Sequence, residues 1–465
     1  MCGIIGASNV PDAARTTYLG LYALQHRGQE SCGIVTIDED GVPHSHRGMG
    51  LVGDIFKEPE LRSLVGDVAV GHTRYSTSGS SVLANAQPCV ANFRCGPLAL
   101  GHNGNLTNAS AIRRDLVAQG AIFQSSSDSE VIVHLIARSR APTPEAQIRE
   151  ALGRVEGAYS LVITVGRTLY CCVDPHGWRP LVLGRVGQGV VAASETCALD
   201  LIGATVIREL EPGDFVEITE GMVRDLAPLG RLSVPHRCVF ELVYFARPDS
   251  IVFGESVDRV RRDLGRELAK EHPAAGADVV FSVPDSANMM ALGYADESGL
   301  KLEHGLIRNH YIGRTFINPT QALRVAKVKI KFNPVRDVIA GRSVVVVDDS
   351  LVRGTTSKGL VQMIRAAGAR EVHFRLGSPP IIGPCHYGID TPTKDELIAA
   401  NHSREQIRTY LGVDSLGYLS LEGMLRAAGR RNSFCHACFS GQYPVQPVDD
   451  LAQLRHVSPL AGSPA

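Results

Sequence analysis

Asp348 and Asp349 stand side by side behind the valines at 344–347, and Arg353, Gly354, Thr355, Thr356 and Ser357 follow closely. Adjacent carboxylates suit ribose hydroxyls or a hydrated Mg²⁺, an ion that keeps much of its water and takes few protein ligands. A small-residue loop that opens a helix offers amide and hydroxyl donors, together with the helix dipole, to a phosphate. An acidic pair alone is more often the cap of a βα turn. Between a strand buried on both faces and this loop, it describes a pocket for a phosphorylated sugar. No Gly-Lys-Ser or Gly-Lys-Thr occurs in the chain, so a P-loop nucleotidase is excluded.

A second reactive group lies at the other end of the chain. Once Met1 is removed, Cys2 carries its own α-amine beside its thiol, and an amine titrating near about pH 8 can act as an intramolecular base. Polar, glycine-bearing clusters follow at 25–29, 71–77, 101–105 and 127–129, and they contain Arg74, Asn103, Gly104 and Asp128. Clusters of this kind at strand ends are where catalytic groups tend to sit. Taken singly, Arg74 reads as a surface ion pair and Asp128 as a helix cap. The last group is Cys435-His-Ala-Cys438, with Cys238 and Cys385 far upstream. One CxxC is as compatible with unrelated buried cysteines as with a metal. The GxGxxG match from Gly48 to Gly53 lacks a preceding buried strand and a following long helix, and is set aside as chance.

The elements that must position these groups follow two patterns. From residue 2 to 231, short strands at 2–6, 33–37, 68–72, 98–102, 159–165 and 169–173 alternate with glycine-punctuated turns. Helices fit 12–25, 109–119 and 128–139. No regular strand–helix–strand cadence appears, which predicts a mixed or antiparallel two-sheet domain. Turn-rich residues between Glu211 and Pro235 approach a boundary. From 232 to 444 the chain alternates strand and helix: a helix near 257–270, a strand at 278–283, the turn from Pro284 to Ala287 with Ser286, then the strand and helix around Asp348. Such a mostly parallel sheet binds ligands at the C-terminal ends of its strands. The stretch 393–429 reads as a long amphipathic helical region packed on the second domain, and 445–465 as a loosely held tail.

Composition narrows the partners. A net charge of −1 and a pI near 7.0 leave no electrostatic footprint for nucleic acid or an anionic membrane. No apolar run is long enough to span a bilayer, and the N-terminus shows no signal-type pattern. The 11 cysteines are odd in number and scattered, which argues against a secreted disulfide framework and for a cytoplasmic protein. Cys32, Cys89, Cys95, Cys171, Cys172 and Cys197 read as small buried hydrophobes.

With these residues in order, the first half resembles the glutaminase domain of N-terminal-nucleophile (Ntn) amidotransferases, an αββα sandwich. The second resembles an α/β type I phosphoribosyltransferase. The phrases FARPDS, VPDS, IGRTFI, VVVVDDSLVRGTTS and CHACFSGQYP are similar to the glutamine 5-phosphoribosyl-1-pyrophosphate (PRPP) amidotransferase family, in its iron–sulfur branch, and the resemblance covers nearly the whole chain. It implies that Cys2 attacks the glutamine amide, that Asn103 and Gly104 form the oxyanion hole, and that Arg74 and Asp128 take the α-carboxylate and α-ammonium. It further implies that Ser286, Asp348 and Asp349 lie at the Mg²⁺, that the acidic pair meets the ribose, and that Arg353 through Ser357 hold the 5-phosphate. The basic span 321–336 would cover the pyrophosphate. Cys238, Cys385, Cys435 and Cys438 would hold a [4Fe–4S] cluster, although a Cys₄ zinc site has the same ligand set. Cluster-bearing relatives often carry a short propeptide, whereas here only Met1 precedes Cys2.

The implied reaction converts PRPP, glutamine and water to 5-phosphoribosylamine, glutamate and pyrophosphate. It would open de novo purine synthesis, with ammonia passed internally, purine nucleotides as inhibitors and a homotetramer or homodimer as the working form. An asparagine synthetase would need an SGGLDS-like loop, which is absent, and a glucosamine-6-phosphate synthase has no place for DDSLVRGTTS. A PRPP- or nucleotide-sensing regulator would be expected to have lost Cys2 or the acidic pair.

Overall fold

The computed structural model of the protein describes residues 1–76, 79–309, 330–429 and 433–446. Its first half is built on two antiparallel sheets. One has seven strands, in the order Thr205–Glu209, Val182–Val186, Gly189–Ala193, Gly3–Ser8, Val68–Arg74, Ser31–Ile37 and Pro43–Met49. The other has six, in the order Met222–Asp225, Phe215–Thr219, Thr168–Val173, Gly157–Val165, Gly96–Leu106 and Cys89–Phe93. Ile4, Val35 and Val70 of the first sheet meet Ala99, Val162 and Leu169 of the second in a shared core. On the outer faces, Ile5 and Ile34 pack with Leu21 and Leu199 from helices, and Leu98 and Leu161 pack with Ile112, Ile132 and Ile148 from others. The inner strands are therefore covered on both sides, and Gly3–Ser8, Ser31–Ile37 and Val68–Arg74 are buried along their whole length. That burial explains their continuous apolar runs in place of the alternation of a half-solvated sheet. The layering is αββα, as the sequence implied.

The second half carries a five-stranded sheet in the order Lys301–Leu302, Val279–Ser282, Ser343–Asp348, Glu371–Leu376 and Ser415–Tyr418, with every neighbouring pair parallel. Val345 and Val347 pack toward Leu264 and Met290 of helices Val257–Glu271 and Asn288–Ser298. Val344 and Val346 pack toward Leu360 and Ile407 of helices Thr355–Ala366 and Arg404–Leu411. The valine run is thus a central strand with a helix layer on each face.

One expectation is corrected. Residues 393–429 do not form one helical region. Short helices at Ile398–Asn401, Arg404–Leu411 and Leu421–Ala427 are separated by the edge strand Ser415–Tyr418. The break has local causes: Ser403 caps one helix, Gly412 ends it in the left-handed conformation, and Ser420 caps the next. Residues 321–329 of the basic span and 447–465 of the tail lie outside the described residues. Among the described residues, no helix is long and apolar enough to cross a membrane.

Candidate functional sites

Cys2 precedes the strand Gly3–Ser8, whose pairing sets Gly3 opposite Thr73 and so brings Arg74 level with Cys2. Asn103 and Gly104 reach the same place from the second sheet. The Cys2 N–H donates to Asn103 Oδ1 at 3.1 Å, which fixes the direction of that side-chain amide. Asn103 Nδ2 is left buried and without a partner among the described residues. Such an orphan costs about 1–3 kcal/mol, a cost that negative charge developing beside the thiol would offset. Gly104 has no room for a side chain, because a Cβ there would lie 2.0 Å from Ala158 O. The thiol itself is buried and meets Tyr75 O at 3.7 Å.

Arg74 is buried and paired with Glu30, and it also donates to Ser80 O at 3.3 Å. Asp128 lies at the start of helix Ser129–Arg138 but does not cap it. Its Oδ2 accepts the Leu106 N–H at 3.0 Å, and His102 Nδ1 lies 3.8 Å from it. The surface-pair and helix-cap alternatives for these two residues therefore fail on geometry. Direct contact joins Cys2 to Asn103, with Gly104 next along the same strand. Asp128 is tied in through the strand of Asn103, and Arg74 through its neighbours on the first sheet.

Sequence reasoning noted the 25–29 cluster without giving its arginine a role. Arg27 Nε donates to the Cys2 carbonyl at 2.9 Å, while its other nitrogens pair with Glu195 and, at 2.8 Å, with Glu241. All three side chains are fully buried. Burial opposes the guanidinium charge, but Glu241 and Glu195 outweigh it and raise its pKa. Burial likewise opposes ionisation of Glu195, yet His26 and Arg27 hold its carboxyl below the usual range. Glu241 belongs to the turn Glu241–Phe245 of the second half, so the Cys2 carbonyl is anchored across the seam.

The residues expected to hold the sugar phosphate gather at the C-terminal edge of the parallel sheet. Asp348 ends the central strand, and Val283 N donates to Val347 O at 2.8 Å, which brings the turn carrying Ser286 alongside. Ser286 Oγ donates to Asp349, Ser350 Oγ does so at 2.6 Å, and Asp349 N donates to Asp348 Oδ1 at 3.0 Å. Burial, followed by the neighbouring Asp349 charge, pushes the Asp348 carboxyl well above its ordinary range. Burial also raises Asp349, with Ser286, Ser350 and Arg261 pulling the other way. Gly354 precedes helix Thr355–Ala366 without a side-chain cap, so its first-turn amides are open to an anion. Thr355 and Thr356 are exposed there, Ser357 is buried, and Arg353 is engaged by Glu396 at 3.1 Å.

The segments that carry the four cysteines also come together. Parallel pairing of Arg237–Cys238 with Phe434–Cys435 sets Cys238 opposite Cys435. The amides of Ile382 and Gly383 donate to Cys438 O at 2.9 and 3.1 Å, which draws Cys385 in. Burial, then Cys385, Cys238 and Cys435, push the Cys438 thiol far up. Burial and Cys238 push Cys435 up to about 12. Trp178 is fully buried, and its indole N–H has no hydrogen-bond acceptor among the described residues. Among the described residues, no three His, Cys, Asp or Glu side chains converge on a single ion-sized point. Of the other cysteines, Cys32, Cys171, Cys172 and Cys197 are buried, and Cys89 and Cys95 are half-buried.

A glutamine amidotransferase domain family model matches residues 72–201. The chain is 50% identical to a chloroplastic amidophosphoribosyltransferase of Arabidopsis thaliana, covering 97% of this chain and 80% of the relative. It is 47% identical to the amidophosphoribosyltransferase of Bacillus subtilis, covering 98% and 96%. Among solved structures, it superposes with a TM-score of 0.92 on an allosteric regulatory enzyme of purine biosynthesis, at 46% identity and 98% coverage of both chains. It superposes with a TM-score of 0.91 on the glutamine PRPP amidotransferase of B. subtilis complexed with ADP and GMP, at 46% identity and 97% and 98% coverage. With its Ntn-type sandwich joined to a phosphoribosyltransferase sheet, the chain belongs to the amidophosphoribosyltransferase family.

Proposed function

We propose that the two halves perform one coupled reaction, the glutamine-dependent formation of 5-phosphoribosylamine that begins purine synthesis. Cys2 attacks the glutamine carboxamide, and its α-amine, freed by loss of Met1, relays the thiol proton to the departing ammonia. Asn103 Nδ2 and the Gly104 N–H take the charge that develops on oxygen. Water then hydrolyses the thioester to glutamate. Arg74 exchanges Glu30 for the α-carboxylate of glutamine, and Asp128 receives the α-ammonium.

At the second site, Asp348 and Asp349 orient the ribose hydroxyls, and the loop from Arg353 to Ser357 holds the 5-phosphate. Ammonia arriving through the interior displaces pyrophosphate from C1. Residues Ser286, Asp348 and Asp349 fit a Mg²⁺ that retains water and substrate oxygens, and the ion would neutralise pyrophosphate charge. Cys238, Cys385, Cys435 and Cys438 fit a [4Fe–4S] cluster, which would tie the start of the second half to its end. A tetrahedral zinc has the same Cys₄ ligand set, and iron and sulfide content measured on anaerobically purified protein separates the two. Purine nucleotides are the proposed inhibitors, in keeping with the ADP and GMP held by the B. subtilis relative. A cytoplasmic homotetramer or homodimer is the proposed working form.

The observation that carries the proposal is Asn103 Nδ2 beside Cys2, buried and without a partner among the described residues, in a chain that also presents paired carboxylates to an uncapped helix start. Glutamate release is to be measured anaerobically with and without PRPP and Mg²⁺, beside Cys2→Ala. Strong stimulation by PRPP, with pyrophosphate formed in step and both lost in the variant, is the expected result. Hydrolysis indifferent to PRPP would leave the first site standing and overturn the acceptor.

A further inference from the structure

Residues 385–391 leave the four-cysteine site and run back against the strand that carries Asn103 and Gly104. The segment is tied at its root, where Cys385 N donates to Thr391 Oγ1 and Tyr387 N donates to Cys385 Sγ at 3.4 Å. His386 O accepts from Asn105 Nδ2 at 2.9 Å, across 281 residues of sequence. Tyr387 O accepts from Arg179 Nε at 3.1 Å, and the Tyr387 ring stacks on Trp178 with centroids 4.4 Å apart. Gly388, at φ +103°, then lies flush on Gly104: a Cβ at 388 would sit 2.9, 3.0 and 3.1 Å from Gly104 C, O and Cα. On its other side, Gly104 presses on the Ala158 carbonyl so closely that a Cβ there would lie 2.0 Å from the oxygen. Gly104 is therefore clamped between its own sheet and the second half of the molecule.

We infer that Gly388 is a positioning residue for glutamine hydrolysis, holding Gly104 in register from the phosphoribosyltransferase half. The inference rests on the oxyanion role proposed for Gly104. A donor moved by a few tenths of an ångström still leaves glutamine bound through Arg74 and Asp128, because those contacts exist in the ground state. What is lost is the interaction made only as charge develops, so kcat falls while KM stays. Because the clamp begins at Cys385, the donor geometry of the first half is set by how the second half is assembled.

The test uses full-length Gly388→Ala and Asn105→Ala, the second removing the tie to His386 without adding bulk. Glutamine hydrolysis, ammonia-dependent 5-phosphoribosylamine formation and the melting temperature are measured for each. For Gly388→Ala, the expected glutaminase kcat falls at least about tenfold, with KM and the ammonia-dependent rate within about twofold. Asn105→Ala shows the same pattern at about threefold. Unchanged kcat in both variants, a rise in KM alone, or proportional loss of both activities in Asn105→Ala would overturn the inference. Glutamine hydrolysis that persists in Cys2→Ala would instead overturn the first-site reading, and the inference with it.

Discussion

At the thiol site the charges are matched before any substrate arrives: Arg74 stands against Glu30, Arg27 sits between Glu195 and Glu241, and Asp128 accepts an amide. At the sugar-phosphate site, two recessed carboxylates lie side by side and both are pushed toward the protonated form, beside a helix start with no side-chain cap. The first site is preorganised, and Asn103 Nδ2, unpaired among the described residues, is the donor proposed for charge that appears only during reaction. The second carries paired carboxylates that the proposed cation and phosphorylated sugar would complete. Burying like charges together costs stability, so the two sites should answer opposite ways when a charge is removed.

The sharpest break in that comparison is chemical. Cys2→Ala is expected to lower glutamine-dependent synthesis at least about 10³-fold and to leave ammonia-dependent synthesis within about twofold, read from pyrophosphate release. Next comes the matched network. Glu241→Gln removes one partner of a fully buried arginine and should destabilise the protein by about 3–5 kcal/mol in chemical denaturation. The acidic pair should do the reverse. Asp348→Asn is expected to abolish productive PRPP binding and yet stabilise the ligand-free protein by about 1 kcal/mol, a rise of about 1 °C in melting temperature. A destabilised Asp348→Asn would contradict the view that this site stores unmatched charge.

A pH slope is expected at the seam. Glu209 accepts the amides of Phe253 and Gly254 at 2.7 and 2.8 Å, and burial outweighs them to push its carboxyl from 4.5 up to about 7. Between those values the folded protein keeps a proton that the unfolded chain releases. Its contribution to stability is present below 4.5 and is lost as pH rises through about 7. Glu209→Gln should flatten that part of the profile in a denaturation series across the window.

What was legible in the sequence was local. The DDSLVRGTTS stretch places strand end, acidic pair and helix start within one turn of chain, so residue order alone exposes the pocket. Short polar clusters at a strand end or helix start contain Asn103, Gly104, Arg74 and Asp128, and it is the family resemblance that gives each of them a role. The overread stretch 393–429 shows the limit of periodicity: Leu416 and Tyr418 continue an apolar pattern, and a short apolar run does not distinguish strand from helix. Ser403, Gly412 and Ser420 carry the cap and stop signals of the breaks. The contacts that join the halves left no local trace. Arg27 meets Glu241 across 214 positions and Asn105 meets His386 across 281, and neither pair follows any spacing rule. Such pairings are set by how two finished cores dock.

Coupling between the halves is most directly tested by isotope competition. The protein is given amide-¹⁵N glutamine, PRPP and Mg²⁺ in a bath of unlabelled ammonium, and the 5-phosphoribosylamine is trapped as it forms. An internal transfer predicts product nitrogen that keeps the label of glutamine, whatever the ammonium in the bath. Label diluted to the ratio of the bath would mean that ammonia leaves the first site into solvent, and would contradict the account.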